Sequence, residues 1–94
     1  MSEWIIKDTQ LKDMTLLVNM IEGESEEQIK KWGIQNRHIF EWAMFSAEEF
    51  GEFIQAVNEL VYRKGTKQHV VREAIQTITL LAKVIDGLVE SEGP

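Results

Sequence analysis

Cysteine is absent from this chain of 94 residues, and its one proline is the last residue, Pro94. A disulfide scaffold is therefore excluded. No run of about 18 apolar residues occurs, and no basic-then-apolar start, so neither a membrane span nor a signal peptide is expected. Cytoplasm is the expected compartment. Basic residues are also scarce: 10 Lys and Arg face 16 Asp and Glu, a formal net charge of −6. That balance argues against a nucleic-acid polymer as partner, because such binding rests on Lys and Arg neutralising phosphates. A small phosphorylated ligand stays open, provided a divalent cation bridges the two sets of negative charge. What remains is 44% hydrophobic and 28% charged, which suits one soluble all-α domain near the lower size limit for building its own core.

The periodicity predicts helices throughout. The segment Met1–Lys7 reads as an arm packed on the body or on a second subunit, with Trp4 as its anchor. From Asp8 the residues Leu11, Met14, Leu17, Val18 and Ile21 follow helical spacing, with Asp8 or Thr9 as cap and Gly23 as stop. Met14 and Met20 read as core. Ser25 and Gln28 fit a capping box opening a short helix that ends at Gly33. Within and just after it, Trp32 and Gln35 either border a ligand pocket, the ring stacking on a base, or simply pack and solvate.

A long helix is expected from about Arg37, capped by Asn36, to Lys64, with Ile39, Ala43, Phe50, Ile54, Val57 and Val61 as its apolar face. Gly65 stops it. Thr66 caps an antiparallel partner running to about Glu90, whose face is Val70, Ala74, Ile78, Leu81, Ile85 and Leu88. The tail from Ser91 is expected to fray. Two long helices with wide apolar faces and one short helix leave too much apolar surface for a monomer, and joining two such hairpins into a four-helix core answers this.

The chemistry gathers on these two helices. Glu41, Glu48, Glu52 and Glu59 fall within about 40° of one another at ~100° per residue and form one acidic stripe. Glu49 instead borders the apolar face, where a carboxylate is costly without a cation. Glu49 and Glu52 stand at i and i+3, as do Glu73 and Gln76, so each pair projects from one face of its helix. Facing each other across a tight hairpin, they can gather three or four oxygens suited to Mg²⁺ or Mn²⁺. The competing reading is a solvated acidic face. For phosphate contact the candidates are Lys83, on the Glu73/Gln76 side, then Arg72 and Lys67; each also reads as an ordinary surface base. Ser46 has no His or Asp at a recognisable spacing, so no nucleophilic role is expected.

Glu48-Glu49-Phe50-Gly51-Glu52, followed twenty residues on by Glu73-x-x-Gln76, resembles the MazG-like nucleotide pyrophosphohydrolases of the all-α NTP pyrophosphatase superfamily, whose pattern is ExxE, a spacer, then ExxD. The lead-in Glu27-Gln28-x-x-x-Trp32-Gly33-x-Gln35-Asn36 is similar to that of small members, and the likeness spans residues 26 to 88. It implies Glu49 and Glu52 as the first pair of metal ligands and Glu73 as the third. Gln76 stands where the pattern has Asp, which lowers the site's charge by one while still offering a carbonyl oxygen. The implied reaction is hydrolysis of a nucleoside triphosphate to the monophosphate and pyrophosphate, with water activated by the metal and a carboxylate, Glu48 or Glu52. Dimers or tetramers are implied too. The alternatives are a nucleotide-binding protein that has lost the reaction through Gln76, and a helical interaction protein whose carboxylates are only a solvated face.

Overall fold

The computed structural model describes residues 4–91, and over these the chain forms three helices and no strand: α1 (Thr15–Trp32), α2 (Ile39–Tyr62) and α3 (Lys67–Glu90). Expectations for Met1–Glu3 and for the tail at 92–94 fall outside the described residues. No helix is long and apolar enough to cross a membrane among the described residues. α3 is the central element, and α1 and α2 each pack against it.

The α2–α3 hairpin forms where the sequence places it, and for the expected reason. The amides of Arg63 and Gly65 both bond the Glu59 carbonyl, at 2.9 and 3.1 Å, and so close the end of α2. A Cβ on Gly65 would stand 2.7 Å from the Leu60 nitrogen and 2.8 Å from the Glu59 carbonyl carbon. Both are backbone atoms, so only glycine fits. Thr66 Oγ1 then accepts the His69 amide at 3.1 Å and caps α3.

The start of α2 differs. His38, not Asn36, is its cap: Nδ1 accepts the Phe40 amide at 3.1 Å while Glu41 Oε1 accepts the His38 amide at 3.2 Å. This reciprocal pair moves the first turn from Arg37 to Ile39.

The two expected N-terminal helices are one. Asp8–Asp13 stays irregular, and α1 runs from Thr15 straight through Gly23 and Ser25. Glycine inside a helix costs about 1 kcal/mol, less than ending and renucleating one. Across the expected break, Gln28 Nε2 donates to Glu24 Oε2 at 2.9 Å. Ser25 therefore caps nothing, and Gln28 serves a different purpose. Met14 and Met20, expected in the core, are exposed.

The buried faces are also rotated from those expected. Ile39, Ala43, Phe50 and Ile54 on α2, and Ile78, Leu81, Ile85 and Leu88 on α3, lie exposed. The buried side chains are instead Ser46, Ala56, Ile75, Thr77, Thr79 and Leu80, with Trp42, Phe45, Phe53 and Leu60 half-buried, as are Val57, Val61, Val70 and Ala74 of the expected faces. Four of the six buried residues, Ser46, Ala56, Thr77 and Thr79, are small. Their hydroxyls are satisfied within their own helices: Ser46 donates to the Trp42 carbonyl at 2.8 Å, Thr77 to Glu73 at 3.0 Å and Thr79 to Ile75 at 2.7 Å. Ile39, Phe50, Ile54, Ile78, Leu81, Ile85 and Leu88 are thus exposed where a core was expected.

The N-terminal arm behaves in the same way. Trp4 is half-buried, with Lys67 Nζ 5.8 Å from its ring centre, but Ile6 is 88% exposed.

Candidate functional site

Glu49 and Glu52 leave the same face of α2 because they stand one turn apart, and Glu73 leaves α3 opposite them. The three bring one carboxylate oxygen each to within 4.8 Å of one another. Glu49 and Glu73 are half-buried and Glu52 is exposed, so the group sits at the rim of the helix seam.

Electrostatics at this rim are unfavourable without a counter-charge. Burial pushes the Glu49 carboxyl up to about 7, and the neighbouring Glu52, Glu73 and Glu24 charges push the same way. A proton on Glu49, hydrogen-bonded to Glu52, is one way to relieve the repulsion. A divalent cation is another, since it favours all three ionised forms at once.

Gln76 completes the group. One of its amide heavy atoms lies 2.9 Å from Glu73 Oε2 and 3.1 Å from Glu49 Oε2. With no cation only the nitrogen suits that position, donating to both carboxylates. With a cation the same position suits the amide oxygen. The donor set is then all oxygen, which suits hard divalent cations rather than softer ones.

Beside this group lies a cleft of about 1010 Å³ between α1, the 33–38 connection and the α2–α3 pair. It brings together Glu48, Glu49, Gln76, Lys83, Trp32 and Gln35, all expected at a site. Glu48 is exposed on its wall. Trp32 is 63% exposed, and Lys31 Nζ stands 5.3 Å from its ring centre. Gln35 is half-buried and its Oε1 accepts from Arg37 Nε at 3.0 Å. Lys83 Nζ donates to Gln28 Oε1 at 2.8 Å, joining α3 to α1; burial lowers its pKa while Glu24 opposes that shift.

Arg72 is exposed and does not line the cleft, and Lys67 lies by Trp4 instead.

Four participants escaped the sequence reading. Glu24 and Gln28 were hidden by the expected break at Gly23; on one continuous helix they are an i, i+4 pair facing α3. Arg37, read as the first residue of the long helix, lies before it, stacked 5.1 Å from the Phe45 ring centre and 3.2 Å from Glu41 Oε2. His69 stands four residues before Glu73, a spacing that places both on one helix face and was available as a signal.

Compared with family models, with curated proteins and with solved structures, the chain finds no match in any of the three.

Proposed function

We propose that the chain is a Mg²⁺- or Mn²⁺-dependent nucleotide pyrophosphohydrolase of the MazG-like kind, converting a (d)NTP and water to the (d)NMP and pyrophosphate. The observation that carries this reading is the meeting of Glu49, Glu52 and Glu73 within 4.8 Å across two helices. These are the positions where the ExxE and Exx(D) resemblance places metal ligands. Glu49, Glu52 and Glu73, with the Gln76 amide oxygen turned inward, would hold the ion. When bound, such an ion neutralises triphosphate charge and makes a water more acidic.

The chain's own groups supply the rest. Glu48, exposed on the cleft wall, or Glu52, exposed at the edge of the trio, takes the proton from the attacking water. Lys83, held by Gln28, places a positive charge in the cleft for the phosphates. Trp32, Trp42 and Phe45 offer ring faces on which a base can stack, and Gln35 a polar edge.

Assembly belongs to the same proposal. The exposed stripe of Ile78, Leu81 and Ile85 lies on the far side of α3 from Gln76 and Lys83, at about 100° per residue. A second copy docking there builds a four-helix core and leaves this cleft open.

The experiment is pyrophosphate release from a panel of standard and modified (d)NTPs with Mg²⁺ or Mn²⁺. Turnover with at least one nucleotide, lost in Glu49→Gln and Glu73→Gln, is expected. No turnover on any of them would sink the enzyme reading.

One observation favours a second reading. The Gln76 amide nitrogen satisfies Glu49 and Glu73 with no ion at all, as suits a scaffold that binds nucleotide without cutting it. Activity appearing only in Gln76→Asp would support that binder.

A further inference from the structure

His69 lies between two carboxylates from different helices. Its Nε2 is 3.3 Å from Glu73 Oε1, and its Nδ1 is 3.5 Å from Glu59 Oε2 on α2. Opposite ring nitrogens face the two acids, so the ring is a spacer between them. It adds no ligand atom to the group formed by Glu49, Glu52 and Glu73.

The contact divides the labour of Glu73. Its Oε1 faces His69, and its Oε2 faces the Gln76 amide, beside Glu49 Oε2. With Nε2 only 3.3 Å from Oε1, an N–H on that nitrogen occupies this oxygen and leaves Oε2 as the one that Glu73 offers a cation.

That distinction matters for which ion fits. Mg²⁺ and Mn²⁺ accept single oxygens in a small octahedral shell, whereas Ca²⁺ takes six to eight ligands and favours carboxylates that grip with both oxygens. Groups that orient a ligand in this way typically tune metal affinity by about 10–100-fold. We propose that His69 is a positioning residue that holds Glu73 as a one-oxygen ligand, steering the site towards Mg²⁺ or Mn²⁺ and away from Ca²⁺. The inference rests on the metal reading above. It goes beyond it by naming what sets the choice of ion.

Calorimetric titration of the full chain with Mn²⁺ and, separately, Ca²⁺ tests it, using the unaltered chain, His69→Ala, His69→Gln and Glu59→Gln. His69→Ala is expected to weaken Mn²⁺ binding roughly tenfold and to leave Ca²⁺ binding unchanged or stronger, so the preference for Mn²⁺ shrinks. His69→Gln, whose amide nitrogen can reach Glu73 Oε1, restores most of the preference. A folded His69→Ala with the preference of the unaltered chain overturns the inference, as does an equal loss for both ions. If His69→Ala does not fold, Glu59→Gln decides: a narrowed preference supports the role and an unchanged one overturns it. An unaltered chain that binds neither ion overturns the metal reading together with this one. One that binds both while His69→Ala changes nothing overturns this one alone.

Discussion

Glu49 sits where burial and three neighbouring acids all oppose its charge, and its carboxyl is pushed up to about 7 from the ordinary 4.5. The metal-free fold therefore binds more protons than the unfolded chain between those two values. Stability from this group is complete below about 4.5 and is lost as pH rises through about 7. Solvent screening at a part-exposed carboxyl reduces the effect to about 1 kcal/mol, or about 4–8 °C in melting temperature at this length. The metal-free chain should thus lose that much more melting temperature between pH 5 and pH 8 than Glu49→Gln does. Saturating Mn²⁺ at pH 8 should recover it in the unaltered chain only. Parallel pH profiles for the two proteins, followed by circular dichroism, would contradict this account of Glu49.

Much at this scale was legible in advance, because i, i+3 spacing on two hairpin helices leaves the acids little room to avoid one another. The link from His69 to Glu59 was not, since it depends on the register of α2 against α3.

Two glycines carry opposite predictions at the level of helices. Gly65→Ala drives a Cβ into backbone atoms at 2.7 and 2.8 Å and should cost about 1–3 kcal/mol. Gly23 meets nothing within 4 Å and lies inside α1, so Gly23→Ala should stabilise by about 1 kcal/mol. Urea melts of both variants read the two signs directly. A Gly23→Ala chain less stable than its parent would indicate the break that the sequence suggested there.

That break shows the limit of punctuation read along one chain. Gly23 and Ser25 look like an end and a beginning, yet the Glu24–Gln28 bond and the Gln28–Lys83 bond to α3 reward continuity. The rotated seam has a similar cause. Apolar periodicity marked large side chains, while Ser46, Thr77 and Thr79 are buried with hydroxyls satisfied in their own helices.

Across the whole molecule, the radius of gyration is 15.2 Å, against about 12 Å for a compact domain of this length. Among the described residues the buried hydrophobic side chains are Ala56, Ile75 and Leu80, a thin core for a chain 44% hydrophobic. On the proposed assembly, a second copy covering the exposed α2–α3 face would make good the deficit. Light scattering should therefore give a mass at a multiple of 10.9 kDa, and Leu81→Glu should reduce it to one. A parent that stays monomeric at every concentration would remove the bundle from this account.

The direct test of the central claim is titration of the unaltered chain with Mn²⁺ at pH 8, beside the double variant Glu49→Gln/Glu73→Gln. The account predicts saturable binding in the parent and none in the variant. Equal binding in both, or no binding in the parent, would contradict it.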